Sequence, residues 1–89
     1  MVQRKYLPID KIIGKRVRVA RENIGMSLVE LGKQSKISIA QLSRLERGDH
    51  NWKANNIVRV AAALDIPASV LLIDKGVQVS YDGKAYSFK

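Results

Sequence analysis

The stretch Ser27 to Gly48, SLVELGKQSKISIAQLSRLERG, constrains this chain more than any other. It carries two helix-start signatures eleven positions apart, Ser27-Leu28-Val29-Glu30 and Ser38-Ile39-Ala40-Gln41. Each is a capping box: the Ser hydroxyl accepts from the N–H three residues on, and the Glu or Gln side chain reaches back to the cap. An apolar residue precedes each Ser and can staple to the residue five positions further along. The pairs are Met26 with Leu31 and Ile37 with Leu42. The pattern predicts two short helices joined by a tight turn at Ser35 to Ile37.

The second of these helices has two unlike faces. At about 100° per residue, Leu42 and Leu45 fall on one side, and Ile39, Ala40, Ser43, Arg44 and Arg47 on the other. The plain reading of the second face is a solvated helix surface. The sharper reading is a face suited to a DNA major groove. Small residues permit close approach, Arg pairs with guanine O6 and N7, and apolar groups touch a thymine methyl. The doubled cap, the short turn and the charge of the chain favour the sharper reading and predict a helix-turn-helix.

Charge supports this choice of partner. Sixteen Lys and Arg against eight Asp and Glu give a net charge of +8 over 89 residues. In one small domain this favours a polyanion, chiefly nucleic acid. No cysteine is present, which excludes disulfides and thiolate metal sites. A membrane role is not expected, because no run approaches ~18 consecutive apolar residues. No apolar run follows Met1-Val2-Gln3-Arg4-Lys5, so a signal peptide is not expected and the default location is cytoplasmic.

In chain order, residues 1–9 form a basic arm. It is a frayed terminus in the plain reading. In the sharper one, Arg4 and Lys5 follow a DNA backbone or enter a minor groove. Asp10 can cap a first helix from Lys11 to Asn23, with Ile13, Val17, Ala20 and Ile24 as its buried stripe and Lys15, Arg16 and Arg18 as solvated charge. Gly25 suits a left-handed stop. Helix two runs from Leu28 to Gln34 and helix three from Ile39 to Arg47, ending at Gly48. A polar loop with Trp52 leads to helix four, Ala54 to Leu64, whose core stripe is Ile57, Val60, Ala61 and Leu64. Pro67 suits the first turn of a fifth helix ending at Ile73. Val70 to Ile73 make that helix apolar over most of its circumference, so it calls for more than one covering surface.

The tail changes period. Val77, Val79 and Tyr81 alternate with Gln78 and Ser80, and Asp82-Gly83 is a strong two-residue hairpin turn. Pairing about it gives an apolar face of Val77, Val79, Tyr86 and Phe88. An isolated hairpin is marginal in water, so this face must dock on the helices or on a second chain. The expected organisation is a basic arm (1–9), a helix-turn-helix domain (10–73) and a C-terminal hairpin (74–89) that is a candidate dimerisation element.

Four separated segments resemble the Xre family, which includes the phage lambda repressor-like domains. They are Ile13-Gly14-x-Arg16-Val17-Arg18-x-x-Arg21, Met26-Ser27-Leu28-x-Glu30-Leu31, Ser43-Arg44-x-Glu46-x-Gly48 and Ile57-x-x-Val60-Ala61-x-x-Leu64. The resemblance spans Ile13 to Leu72 and implies a mainly α, five-helix lambda repressor-like domain. Here that fold would carry the β-hairpin as an addition. It also implies that Arg21 pairs with Glu46, an ion pair holding the reading helix; by residue type alone both would pass as surface charge. By position, base reading falls to Ile39, Ala40 and Arg44, with Gln41 and Ser43 as helpers. Backbone phosphates would meet Ser27, Leu28, Ser38, Arg47, His50, Asn51 and Lys53. Three positions depart from the family pattern. Gly32 replaces a usual Ala, a loss of ~1 kcal/mol of helix propensity. Lys36 stands where Gly is common and is expected to take a positive φ at ~1 kcal/mol. Trp52 replaces a frequent Pro and reads as a lid on the core.

The function expected from these residues is a sequence-specific regulator, a repressor, binding double-stranded DNA. A single module reads only a few base pairs, so a homodimer on a palindromic operator is expected, with Val70, Leu71, Val77, Val79, Tyr86 and Phe88 as interface candidates. The alternative is an antitoxin or accessory protein whose hairpin binds another protein. An enzyme lacks parts: there is one histidine, no thiol, no clustered metal ligands and no phosphate loop. No metal or other cofactor is expected. RNA binding fits the charge, but the aromatic residues, one Trp, three Tyr and one Phe, are too few for stacking platforms.

Overall fold

The computed structural model describes residues 8–72 and, beyond them, the backbone of 79–81 and 84–86. Within 8–72 the chain is all helical. The elements are α1 (Pro8–Asn23), α2 (Leu28–Ser35), α3 (Ile39–Arg47), α4 (Ala54–Leu64) and α5 (Ala68–Leu71). Pro8 opens α1, where its missing N–H costs nothing because the first helical N–H groups have no partner in the helix. Asp10 therefore lies inside α1 and is not its cap; what it does instead is described below. Helix α5 has four residues and Pro67 precedes it as N-cap, so it is shorter than the apolar run suggests.

The serine half of each capping box forms. Ser27 Oγ accepts from Glu30 N at 3.1 Å, and Ser38 Oγ accepts from Gln41 N at 3.1 Å. Between them Lys36 ends α2 in the left-handed region at φ 63°, and its N–H donates to Gly32 O. Gly32 matters for space as well as propensity. A Cβ added there would lie 3.0 Å from Ile37 O, so the bare α-carbon lets α2 sit close under the turn.

Helix α1 packs mainly on α3, and α2 packs on α3 and α4, while α5 closes against α4 and α1. Ile13, Val17, Leu31, Ile37, Leu42, Leu45, Trp52, Ile57, Val60, Ala61, Leu64 and Leu71 make one core. The α1–α3 crossing is tight at Gly14, where a Cβ would lie 2.6 Å from Glu46 O. Two features of α1 differ from the sequence expectation. Ile24 is 57% exposed, because it follows the last turn and leaves the buried stripe. Arg16 is buried and donates from Nη1 to Leu71 O at 3.3 Å, tying α1 to the end of α5.

Backbone segments Val79–Tyr81 and Lys84–Tyr86 lie antiparallel, with Val79 opposite Tyr86 and Tyr81 opposite Lys84. The Asp82-Gly83 turn, Val77, Phe88 and the side chains of the tail lie outside the described residues, as do Arg4 and Lys5 of the arm. A closed, docked hairpin belongs with the proposals below. Among the described residues no helix is long and apolar enough to cross a membrane.

Candidate nucleic-acid interface

Helix α3 is held by its inner face and leaves its outer face open. Leu42 and Leu45 are fully buried. Ile39 is 47% exposed, Ala40, Arg44 and Arg47 are exposed, and Gln41 and Ser43 are half-buried. The open face of α3 thus sets one isoleucine, an alanine and two arginines side by side. It combines close approach, methyl contact and a bidentate donor.

The orientation of α3 depends on a buried ion pair. Arg21 Nε donates to Glu46 Oε2 at 2.8 Å and Arg21 Nη2 to Glu46 Oε1 at 3.1 Å, a two-point fork with side chains only 12% and 5% exposed. The guanidinium also donates to Met26 O at 2.8 Å, so one side chain joins the end of α1, the approach to α2 and the last turn of α3. Hydrogen bonding to Glu46 raises the Arg21 pKa above its ordinary value, against the opposing effect of burial. A raised cation pKa gives stability that is complete below the unfolded-state value and is lost only as pH rises through the folded one. The arginine side of the pair is therefore insensitive to pH throughout the neutral range.

Around α3 lie the residues assigned to phosphate contact. Ser27 and Ser38 are exposed at the N-caps of α2 and α3. Leu28 is half-buried and packs against the core, so its exposed offering is backbone. Arg47 donates to Asp49 at 3.2 Å in an exposed pair that a phosphate can displace. Lys53 is exposed and precedes α4 as an N-cap with no side-chain capping bond. His50 is half-buried. Asn51 faces partly inward, since its Nδ2 donates to Asp10 Oδ2 at 2.9 Å. Trp52 is buried and its Nε1 donates to Leu45 O at 3.0 Å, which makes it a lid fastened to α3.

Val70 and Leu71 are the dimer-interface candidates on α5. Both have no exposure in the single chain, and Leu71 packs in the core; among the described residues Leu72, 49% exposed, is the apolar residue left open on α5's C-terminal side. Sequence reasoning missed Asp10, 2% exposed, whose carboxylate holds the α3–α4 loop. No local signal marks that role, since its partners lie 41 and 42 residues away. Among the described residues no group of three or more His, Cys, Asp or Glu is placed to hold a metal.

Two capped helices crossing at a three-residue turn, braced by a third helix through a buried ion pair, define a helix-turn-helix domain. The chain belongs to the helix-turn-helix family HTH_3, whose model matches residues 17–71. The transcriptional regulator ClgR of Mycobacterium tuberculosis is 31% identical over 72 residues, covering 81% of this chain and 64% of ClgR. The restriction-modification controller protein C.AhdI from Aeromonas hydrophila superposes with a TM-score of 0.68 at 32% identity, over 70% of this chain and 94% of C.AhdI. The N-terminal DNA-binding domain of SinR from Bacillus subtilis gives the same TM-score, 0.68, at 32% identity, over 73% of this chain and 96% of that domain. The chain spans only part of the length of the curated relatives it matches, from 52% for an HTH-type regulator of Sinorhizobium medicae to 66% for SinR of Bacillus licheniformis.

Proposed function

We propose that this chain is a sequence-specific DNA-binding transcriptional regulator that inserts α3 into the major groove. One observation carries the reading. The outer face of α3 leaves Ile39, Ala40 and Arg44 exposed, while the Arg21–Glu46 pair and the core fix the helix behind them. In this reading Arg44 pairs with a guanine, Ile39 and Ala40 meet thymine methyls, and Gln41 and Ser43 assist from the edges of the face. Ser27, Ser38, Arg47, His50 and Lys53, with the backbone at Leu28, meet phosphates and set the register. The likeness to a SinR domain described as DNA-binding supports the partner.

The finer parts of the proposal are a homodimer, a palindromic operator, repression as the outcome and a cytoplasmic setting. Dimerisation falls to the tail: Val77, Val79, Tyr86 and Phe88 would share one hairpin face. Selection of duplexes from a random pool by the full chain tests the reading. The expected product is two inverted half-sites centred about one helical turn apart, roughly 10 base pairs. A pool without enrichment would sink it. Sedimentation equilibrium of the full chain beside a chain ending at Asp74 tests the tail. A dimer that becomes a monomer on truncation supports it, and equal states remove the hairpin from the interface.

A further inference from the structure

We propose that Asp10 is a positioning residue for DNA backbone recognition, acting through the α3–α4 loop. The inference rests on the DNA-binding reading above and extends it to a residue at the far end of α1. The Asp10 carboxylate is 2% exposed. One oxygen accepts from the Trp52 backbone N–H at 2.8 Å and the other from Asn51 Nδ2 at 2.9 Å. The loop is fixed on a second side by Trp52 Nε1, which donates to Leu45 O in the last full turn of α3. Its start is confined as well. Gly48 leaves α3 at φ 77°, and a Cβ there would lie 2.9 Å from the α-carbon of Lys11, the residue after Asp10.

A six-residue connection fastened at three points has few conformations left. Trp52 turns inward, Asn51 stays exposed while its Nδ2 reaches Asp10, and Lys53 is delivered outward at the N-cap of α4, where it makes no side-chain capping bond. The phosphate-facing side of the loop is thus preformed by a contact on its opposite side. Asp10 touches no DNA in this arrangement.

Charge supplies a sign test. A carboxylate close to a polyanion opposes binding, so losing the charge alone would strengthen binding, whereas losing the loop position weakens it. Asp10→Asn keeps the shape and an acceptor for the Trp52 N–H but removes the charge. Asp10→Ala removes both. Full-length protein and each variant would be titrated with a labelled duplex of random sequence between about 50 and 200 mM salt. Trp52 is the sole tryptophan, so its fluorescence reports whether the loop stays pinned in each folded variant.

The expected result is a wild-type salt slope and unshifted emission for Asp10→Asn. Asp10→Ala should show red-shifted emission and a slope shallower by about 0.9 for each phosphate the protein no longer neutralises. A wild-type slope for Asp10→Ala overturns the proposal. An equally shallow slope for Asp10→Asn with its Trp52 emission unshifted separates phosphate contact from the loop position and also overturns it. If Asp10→Ala does not fold, Asp10→Glu, which keeps the charge but displaces the acceptors, carries the same expectation of a shallower slope, and a wild-type slope is the contrary result. Wild-type protein with no salt-dependent duplex binding would instead overturn the DNA-binding reading itself.

Discussion

The two connections that flank α3 are built in opposite ways. The entry turn between α2 and α3 is made from its own neighbourhood: Lys36 N–H donates to Gly32 O, and Ser38 caps Gln41 N–H. The exit loop between α3 and α4 is capped locally at Gly48 and by the Trp52 indole on Leu45 O, but its far end is also held from a distance, by the Asp10 carboxylate. A helix that presents side chains to a groove needs both ends fixed. Here one end is set by local sequence alone and the other needs α1 as well.

Substitutions can break that contrast at graded strengths. The largest effect belongs to Arg21→Ala, which strands the Glu46 carboxylate at 5% exposure and should cost about 3–5 kcal/mol in urea unfolding. Replacing both members, Arg21→Met with Glu46→Leu, should recover most of that loss, because no unpaired charge remains. Trp52→Phe keeps an aromatic lid but removes the donor to Leu45 O, and should cost about 1–3 kcal/mol by circular dichroism. Ser38→Ala removes one cap at the entry turn and should cost about 1 kcal/mol without shifting Trp52 emission, since the exit loop does not depend on it. Smallest is Lys36→Gly. It relieves a left-handed lysine but loosens the unfolded chain, for a net gain under ~1 kcal/mol. If Ser38→Ala moved the Trp52 emission as far as Asp10→Ala does, the two ends of α3 would not be independent.

The same contrast explains what could be read from the residues alone. The cap pairs and the two faces of α3 are local or periodic features, and capping geometry and a 3.6-residue period expose them, whereas the positive φ at Lys36 is implied only by the family resemblance. Asp10 and Arg16 are short- and long-chain polar residues on a basic helix, and nothing within ten positions of either announces a buried partner. Gly14 draws notice in the sequence only as part of a motif; the α1–α3 spacing turns it into a requirement for a bare α-carbon. Val70 and Leu71 show the reverse limit. An apolar circumference says that a helix must be covered, but not whether its own domain or a second chain covers it.

The central claim is that the outer face of α3 reads bases. The most direct test compares Arg44→Ala with Arg47→Ala on two duplexes, one recovered by selection and one of random sequence. Arg44→Ala should cost about 1–3 kcal/mol on the selected duplex, relax preference at one position of each half-site and leave random-duplex binding nearly unchanged. Arg47→Ala should weaken both alike and flatten the salt dependence. An equal proportional loss on both duplexes for Arg44→Ala would contradict the account.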